Sequence, residues 1–263
     1  MEHQKKYDSE KELKSVASII ACTMRPEYMD NIFANYERQE WHNKEMIVIL
    51  NKDSMNLKKW RKKAKEYENV RVYKLPEKYT LGKCLNWAIA RAKGSFIAKF
   101  DDDDYYGAHY LKESIIALRT QKAPIVGKHT AYIYFEAKKA LMEYRPGQEN
   151  VPGKRVKGGT LFFRKRVWKQ VKFPEDTIGG SDAKWAKKCR RAGYTVYYVS
   201  KKNYVCIRRE NIQSHTQKRD TEEYMRNCKL VTYTDDFIPY TTETIPDEGT
   251  RREEYNSLSN GSI

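Results

Sequence analysis

The chain has 263 residues, of which 40% are hydrophobic and 33% are charged, and its formal net charge is +16. The length and composition suit one α/β domain with a heavily charged surface. The five cysteines are odd in number and lack paired spacing, which argues against a disulfide framework and against a zinc site.

The first fourteen residues are polar and charged, whereas a signal peptide contains an apolar segment. The first apolar run, residues 16–22, is too short to cross a bilayer. We therefore expect a cytoplasmic protein, at most peripheral to the inner face of a membrane.

The first half of the chain alternates apolar runs typical of buried strands with segments of helical spacing. In chain order, the pattern predicts a strand at 16–22, a helix at 27–39, a strand at 45–50, a helix at 57–67, a strand at 70–75, a helix at 80–92 and a strand at 95–100. This βαβαβαβ order predicts an open, mostly parallel sheet with helices on both faces.

The second half of the chain is less regular. It contains strand-like residues 125–135 and 159–164, a loop at 145–157, a helix at 181–192 and a strand at 195–200. From about residue 241 onward polar residues dominate, which predicts a mobile acidic tail over 241–263.

Four consecutive aspartates, Asp101 to Asp104, follow directly after the strand predicted at 95–100. Ligands of open α/β sheets gather beyond the carboxyl ends of the strands. Adjacent carboxylates repel one another, and a bound Mg²⁺ or Mn²⁺ would relieve that repulsion and could bridge a diphosphate leaving group. The alternative is a solvated acidic loop or a helix N-cap, because aspartate is favoured at both.

Several segments resemble, in their order and spacing, family 2 glycosyltransferases of the GT-A fold. The segment Leu-Gly-Lys-Cys-Leu-Asn at 81–86 and the strand that leads into the aspartate run are similar to the Gly-Lys/Leu-x-x-x-Asn helix and the Asp-x-Asp motif of that family. The other similar segments are Thr-Met-Arg-Pro at 23–26, Glu-Met-Ile-Val-Ile at 45–49, Gly-Gly-Thr-Leu-Phe-Phe-Arg-Lys at 158–165, Phe-Pro-Glu at 173–175 and Gly-Ser-Asp at 180–182.

The resemblance covers residues 15–205 and implies a GT-A domain there, with an open, mostly parallel sheet and a smaller antiparallel portion on the acceptor side. Residues 1–14 would form a polar extension, and residues 206–240 a C-terminal extension that packs near the active site. The implied activity is metal-dependent, inverting transfer of a hexosyl or N-acetylhexosaminyl group from a nucleotide-sugar, expected to be a UDP-sugar, to an acceptor hydroxyl. The implied cofactor is Mn²⁺ or Mg²⁺.

The resemblance also implies roles for residues on the donor side. Asp101 would contact the ribose or the nucleotide and would also be a metal ligand. Asp103 would be the principal metal ligand, with Asp102 and Asp104 able to exchange roles with these two. His215 is a further candidate metal ligand, or else a surface residue, and Arg208 and Arg209 are candidates for binding the diphosphate. The residues expected to bind the donor nucleotide are Thr23, Arg25, Asn51, Asp53, Lys83, Asn86, Asp101 and Asp102. Lys83 and Asn86 have ordinary helix-surface roles as alternatives.

On the acceptor side the resemblance implies roles for Gly158, Gly159, Thr160 and Asp182. Asp182 is the candidate general base, because inverting transfer needs a carboxylate that removes the proton of the acceptor hydroxyl during its attack on the anomeric carbon. The alternative is that Asp182, or Ser181, is the N-cap of a helix at 183–192.

The sequence departs from the family pattern at three points. Residues 50–54, Leu-Asn-Lys-Asp-Ser, stand where the family has an aspartate pair that reads uracil, so the identity of the base stays open. Ser181 replaces the usual glutamate before the catalytic aspartate. No Gln-x-x-Arg-Trp motif follows, which favours a single transfer over processive polysaccharide synthesis.

The positive charge lies in the body of the chain. Residues 231–263 hold seven acidic residues and two arginines, a charge of −5, so that the preceding residues carry +21. Such a surface attracts nucleic acid, anionic lipid or an anionic polymer, unless the charges are simply solvated helix faces. We expect a glycan, a glycopolymer or a lipid-linked acceptor, with peripheral contact to an anionic membrane, and no nucleic acid.

Two other classes of function are alternatives. A nucleotidyltransferase also combines an α/β sheet, carboxylates and a metal, but it would need a Gly-rich phosphate loop after the first strand, where residues 23–26 have none. A nucleic-acid-binding module is suggested by charge alone, without a recognised motif.

Overall fold

The structure is a computed structural model that describes residues 15–209 and 221–246. Its strands are β1 (Ala17–Thr23), β2 (Lys44–Leu50), β3 (Val70–Lys74), β4 (Phe96–Phe100), β5 (Tyr105–Tyr106), β6 (Ile125–Gly127), β7 (Ala131–Phe135), β8 (Ala140–Tyr144), β9 (Val151–Gly153), β10 (Phe162–Arg164), β11 (Val196–Tyr198), β12 (Tyr204–Arg208) and β13 (Cys228–Tyr233). Its α-helices are α1 (Met29–Glu37), α2 (Leu57–Ala64), α3 (Leu81–Arg91), α4 (Tyr110–Thr120), α5 (Lys165–Gln170), α6 (Ser181–Arg191), α7 (Thr221–Met225) and α8 (Ile238–Thr241). Single 3₁₀ turns occur at Pro26–Tyr28, Glu136–Lys138 and Gly158–Thr160.

An eight-stranded sheet has the order β3-β2-β1-β4-β10-β6-β11-β9. β1 pairs in parallel with β2 and β4, β2 pairs in parallel with β3, and β10 is antiparallel to both β4 and β6. In this register Thr23 is opposite Leu50, and Ala21 is opposite Phe100. The ends of β1, β2 and β4 therefore lie at one edge, and the open, mostly parallel GT-A type sheet expected from the sequence is confirmed.

Side chains of the parallel strands alternate between two apolar layers. Ile19 and Val48 pack in the layer that contains residues of α1, α2 and α4. Ile20 and Ile97 pack in the opposite layer, with residues of α3 and α6. In β4, Lys99 is two residues after Ile97 and so shares its face of the sheet. The strand period therefore directs a lysine into an otherwise apolar layer.

A five-stranded sheet has the order β13-β8-β7-β12-β5, and all of its pairs are antiparallel except β7 with β12. The single strand predicted at 125–135 is wrong, because β6 and β7 belong to different sheets. Between them, the backbone N–H of Lys128 donates to Oγ1 of Thr160 at 2.9 Å instead of continuing a strand ladder. The loop predicted at 145–157 contains the short strand β9.

The sequence pattern does not predict α4 or α5. The apolar residues of α4 that face the core, including Leu111, Ile115 and Leu118, have helical spacing, but Glu113 and Ser114 are buried among them. These buried polar residues weaken the apolar pattern by which a helix is recognised. α5 has only six residues, too few for a periodic signal.

Within residues 15–209 and 221–246, no helix is both long enough and apolar enough to span a membrane. All five cysteines lie in these ranges, and their thiols are free. Burial raises the pKa of Cys84 to about 11 and the pKa of Cys189 to about 12, so both thiols remain protonated at neutral pH.

Candidate active site

The aspartate run lies at the carboxyl edge of the eight-stranded sheet, directly after β4 and beside the end of β1. Asp102 is buried and anchors the turn that follows β1. Thr23 Oγ1 donates to Asp102 Oδ2 at 2.5 Å, Arg25 Nε donates to the same oxygen at 3.1 Å, and Arg25 also forms an ion pair with Oδ1. Burial raises the pKa of Asp102, and Arg25 opposes that shift. Asp102, which follows β4, is thus bonded to both Thr23 and Arg25 at the end of β1.

Asp103 faces two arginines. Its Oδ2 lies 3.0 Å from Arg25 Nη1 and 3.3 Å from Arg209 Nη1, and Arg209 Nη2 donates to its backbone oxygen at 3.0 Å. Both guanidinium groups also lie over the ring of Tyr28, at 4.5 Å and 4.4 Å from its centroid. The residue expected to be the principal metal ligand is therefore paired with two arginines through its Oδ2.

Asp104 is buried, and its side chain bonds to residues of β12, a strand of the five-stranded sheet. Its Oδ2 accepts a hydrogen bond from the hydroxyl of Tyr204, and its Oδ1 accepts one from the backbone N–H of Ile207 at 3.2 Å. Burial, followed by the charges of Asp103 and Asp101, raises the pKa of Asp104 to about 7. Asp104 therefore differs chemically from its neighbours in the run.

Two asparagines on α1 hold the backbone of the aspartate run. Asn31 Nδ2 donates to the backbone oxygens of Asp102 and Asp104 at 2.8 Å and 3.0 Å, and Asn35 Nδ2 donates to that of Asp104 at 2.8 Å. The sequence interpretation misses both residues. Their spacing of four, on the same helix face as buried apolar residues, is the signal that could have identified them.

Asp101 points toward the acceptor-side residues. Its Oδ1 forms an ion pair with Lys99, whose Nζ also lies 3.2 Å from Oδ2 of Asp182. Lys99 is only 4% exposed. Burial disfavours its charge, but Asp101 and Asp182 outweigh that effect and raise its pKa. The sequence interpretation does not identify Lys99, although a lysine inside an apolar strand is a visible signal.

Asp182 is on the first turn of α6, and the predicted alternative that it caps this helix is wrong. The helix begins at Ser181 with Gly180 as its N-cap, and no side chain makes the capping hydrogen bond. Burial raises the pKa of Asp182, and the charge of Lys99 opposes that shift. The side chain is thus a half-buried carboxylate directed at Lys99 rather than at its own helix.

The glycines predicted on the acceptor side lie against these carboxylates. A Cβ on Gly158 would lie 2.4 Å from Oδ2 of Asp182, and a Cβ on Gly159 would lie 2.7 Å from Oδ2 of Asp101. Tyr106 links the same segments, because its hydroxyl accepts from the backbone N–H of Asp101 at 2.7 Å and donates to the oxygen of Gly159 at 2.6 Å. Only residues without a side chain allow this close approach.

Thr160 has an internal role in the structure. It is fully buried, and its hydroxyl accepts from the backbone N–H of Lys128 and donates to the backbone oxygen of Lys157 at 2.8 Å. Thr160 therefore positions the glycine segment before it, and its role on the acceptor side stays a prediction.

The carboxylates suit a hard divalent cation. Oδ2 of Asp101 and Oδ2 of Asp104 lie 2.7 Å and 3.0 Å from the point where a Cβ on Gly159 would be, so two carboxylate oxygens face one space. Within the described ranges, no three Asp, Glu, His or Cys side chains form a metal-binding group. Mg²⁺ is commonly bound by one or two carboxylates together with substrate phosphates and water, and the donor set fits that pattern.

Asn51 and Asp53 lie at the same edge of the sheet, after β2. Asn51 is buried, and its Nδ2 donates to the backbone oxygen of Pro76 at 2.8 Å. Asp53 and Glu77 cap each other, since the backbone N–H of each donates to the carboxylate of the other, at 3.1 Å and 3.2 Å. These contacts hold the loops after β2 and β3 together beside Thr23, whose backbone oxygen accepts from the N–H of Asn51.

Lys83 and Asn86 are on α3. The ammonium of Lys83 lies 4.0 Å from the centre of the Tyr79 ring. Asn86 is buried, and its amide makes four hydrogen bonds, to the indole of Trp168, to the backbone N–H and oxygen of Phe173 and to the carboxylate of Glu175. This network uses the whole amide, so Asn86 joins α3 to the segment before α6 instead of contacting a nucleotide as expected.

Residues 206–209 of the predicted C-terminal extension contact the aspartate run through Ile207 and Arg209, while the guanidinium of Arg208 lies 5.2 Å from the centre of the Tyr224 ring. His215 lies outside the described residues, so its role as a metal ligand stays a prediction.

Residues 18–170 match the protein family described as Glycosyl transferase family 2. Comparison with curated proteins gave no match.

Three solved structures illustrate the similarity of fold. S. aureus TarS 1–349 has a TM-score of 0.60 and 18% identity, with 73% of this chain and 60% of that chain covered. The complex of the same protein with UDP-GlcNAc has a TM-score of 0.61 and 16% identity, with 81% and 64% covered. The mannosyltransferase PcManGT from Pyrobaculum calidifontis, in complex with GDP-Man and Mn²⁺, has a TM-score of 0.55 and 16% identity, with 81% and 59% covered. The chain thus spans about three fifths of the length of these structures.

Proposed function

The chain belongs to glycosyl transferase family 2, and we propose that it is a metal-dependent, inverting glycosyltransferase that uses a UDP-sugar. The observation that carries this proposal is that Lys99 forms ion pairs with both Asp182 and Asp101. The two carboxylates lie beside Gly158 and Gly159. A candidate base from α6 and a candidate donor-binding carboxylate from the end of β4 thereby share one lysine.

The proposed metal ligands are Asp101 with Asp103, or with Asp104 in place of Asp103. A divalent cation bound there supplies electrostatic stabilisation of the departing diphosphate. His215 is proposed as a further ligand. Either Mn²⁺ or Mg²⁺ matches the chemistry of these oxygen ligands, and the complex of PcManGT contains Mn²⁺.

The transfer itself requires a base on the acceptor side. Asp182 accepts the proton of the acceptor hydroxyl while the hydroxyl oxygen forms a bond to the anomeric carbon. The bond between that carbon and the diphosphate oxygen breaks, and its electron pair leaves with UDP. The attack comes from the face opposite the leaving group, so the configuration at the anomeric carbon inverts.

The donor is bound, in this proposal, at the ends of β1, β2 and β4. Arg25 and Arg209 bind the diphosphate through charge-assisted hydrogen bonds, which releases them from Asp103. Thr23, Asn51 and Asp53 lie at the edge where the base would be bound, with Lys83 nearby on α3. UDP is proposed because TarS forms a complex with UDP-GlcNAc, a hexosamine donor.

The acceptor is proposed to be a hydroxyl of an anionic glycopolymer or of a lipid-linked glycan at an anionic membrane. The charge of +21 before residue 231 supports this proposal, because it attracts anions at long range. The domain of residues 15–205 would carry the chemistry, and residues 206–240 would complete the donor site through Arg209.

The direct test is incubation with UDP-GlcNAc and Mn²⁺, in which water serves as the acceptor and UDP release is measured. Asp182→Asn should lower the rate about 100-fold or more, because the general base is lost. Asp103→Ala should weaken UDP binding in the presence of Mn²⁺ and should not weaken it in the absence of metal. Proton NMR of the first product should show β-GlcNAc from the α-configured donor.

Asp235→Asn is the matched control, because this carboxylate is exposed and pairs only with the exposed Lys139 among the described residues. Its rate should equal that of the unmodified protein. The proposal is refuted if the unmodified protein neither binds UDP nor releases it from UDP-GlcNAc in the presence of Mn²⁺.

A further inference from the structure

A buried charge in β4 is not explained by the fold. The other residues of this strand, Phe96 to Ala98 and Phe100, are apolar and buried. Lys99 is buried like them. A buried ammonium group is costly unless it is paired and hydrogen-bonded, and an apolar side chain of the same length would fill the space at lower cost. This cost indicates that Lys99 has a role that requires its positive charge.

The contacts of Asp182 point to that role. Oδ2 of Asp182 lies 3.2 Å from Lys99 Nζ, whereas Oδ1 is buried and has no hydrogen-bond partner among the described residues. No side chain caps the helix on which Asp182 is found. The ion pair with Lys99 is thus the polar contact that orients the Asp182 carboxylate in the part of the chain that the structure describes.

The same ammonium also pairs with Asp101. Without a cation between them, the carboxylates of Asp101 and Asp182 would repel each other across the site. Gly158 and Gly159 add no side chain that could separate them. The distance between the donor-side and acceptor-side carboxylates is therefore set by Lys99.

We propose that Lys99 is a positioning residue that holds the base Asp182 at a fixed place relative to Asp101 and the bound donor. This inference rests on the proposed function. Its consequence is that Lys99 acts on the transfer step through Asp182 and has little part in donor binding. A displacement of the base by about 1 Å is enough to lower the rate about 100-fold.

The test measures UDP release from UDP-GlcNAc with Mn²⁺ and, separately, UDP binding by calorimetry. Lys99→Met, which keeps the length of the side chain but removes its charge, should lower kcat about 100-fold and change the dissociation constant of UDP less than about threefold. Lys99→Arg should recover about tenfold of the lost kcat, because the charge returns with a different shape.

The decisive comparison places Lys99→Met in the Asp182→Asn background. If Lys99 acts through Asp182, the double variant should have the kcat of Asp182→Asn within about twofold. A purely structural role predicts instead that the two losses multiply. If Lys99→Met does not fold, as judged by circular dichroism, Lys99→Arg in both backgrounds provides the same comparison.

Lys128→Met is the matched control, because Lys128 is also a buried lysine in an ion pair, with Glu113 at 3.0 Å. It should keep kcat within about threefold of the unmodified protein even if its melting temperature falls. The inference is overturned if Lys99→Met keeps the original kcat, or if its loss multiplies with that of Asp182→Asn. Failure of the unmodified protein to release or bind UDP would instead refute the proposed function.

Discussion

Identical side chains in the aspartate run have different surroundings and therefore different properties. Asp102 is neutralised by Arg25, Asp103 faces Arg25 and Arg209, and Asp101 pairs with Lys99. Asp104 has no arginine or lysine within ion-pair distance among the described residues, and its partners are the hydroxyl of Tyr204 and a backbone N–H. The environment of each carboxylate, rather than its place in the run, decides which of them is easily protonated.

The raised pKa of Asp104 makes the stability of the metal-free protein depend on pH. Its pKa of about 7 when folded lies above its ordinary value of 3.8, so between these values the folded protein retains a proton that the unfolded chain releases. Stability from this group is thus present below the unfolded pKa and is lost as the pH rises toward 7.

Asp104→Asn removes this titration. Between pH 4 and pH 7, its unfolding free energy relative to the unmodified protein should rise by at most about 3 kcal/mol. Urea unfolding in the presence of EDTA at both pH values measures the change. Asp235→Asn, at an exposed position, should show no such trend, and parallel curves for Asp104→Asn and the unmodified protein would contradict the assignment.

The site depends on the connection between α3 and the segment that precedes α6. Gly82 and Asn86, one turn apart on α3, both contact this segment: a Cβ on Gly82 would lie 1.9 Å from the backbone oxygen of Pro174, and the Asn86 amide bonds to Trp168, Phe173 and Glu175. The Gly-Lys-x-x-Asn sequence at 82–86 therefore has a packing function, in which a small residue and an amide bring α6 and Asp182 toward β4.

Asn86→Ala should destabilise the fold by about 3 kcal/mol, because it leaves the indole of Trp168 and the backbone of Phe173 without their buried partner. The affinity for UDP should change less than about threefold if Asn86 only joins elements. Chemical unfolding and calorimetry measure the two quantities. Gln121→Ala, at an exposed amide after α4, should cost less than about 0.5 kcal/mol. A loss of UDP affinity with unchanged stability would restore the nucleotide-binding role expected from the sequence.

Positive charge is spread over several surfaces of the molecule. Lysines and arginines cover α2, and a cavity of about 480 Å³ at the opposite edge of the sheet is lined by Lys93, Arg164, Lys165, Arg166 and Lys169. Charges that do not contact the reacting atoms act on an acceptor by attraction in solution.

Turnover of an anionic glycan acceptor should therefore depend on salt. Raising NaCl from 20 mM to 500 mM should lower kcat/KM for a phosphate-bearing glycan about tenfold, because screening shortens the range of attraction, and should leave kcat unchanged. A neutral glycan of the same length is the control and should show little change. Equal salt effects on both acceptors would exclude attraction of the acceptor by the charge of the protein.

The elements that can be predicted from the residues alone are those with a local pattern. The apolar runs at 45–50 and 95–100 and the helical spacing at 80–92 predict β2, β4 and α3, because burial on both faces of a parallel strand and on one face of a helix leaves a regular pattern. The aspartate run was placed correctly for the same reason, since it follows a strand whose end is visible in the sequence. The short α5 and the break between β6 and β7 left no such pattern.

The pairing of the four carboxylates, and the residue that orients the candidate base, depend on how the chain folds. Lys99 and Asp182 are 83 positions apart in the chain, and their contact depends on which face of β4 is covered by α6. Likewise, the helical pattern allows Asn86 to lie on the surface of α3, whereas in the fold its amide is buried by the segment around Phe173. Such contacts join parts of the chain that are far apart, and no local pattern of residues records which partner a buried charge or amide will find.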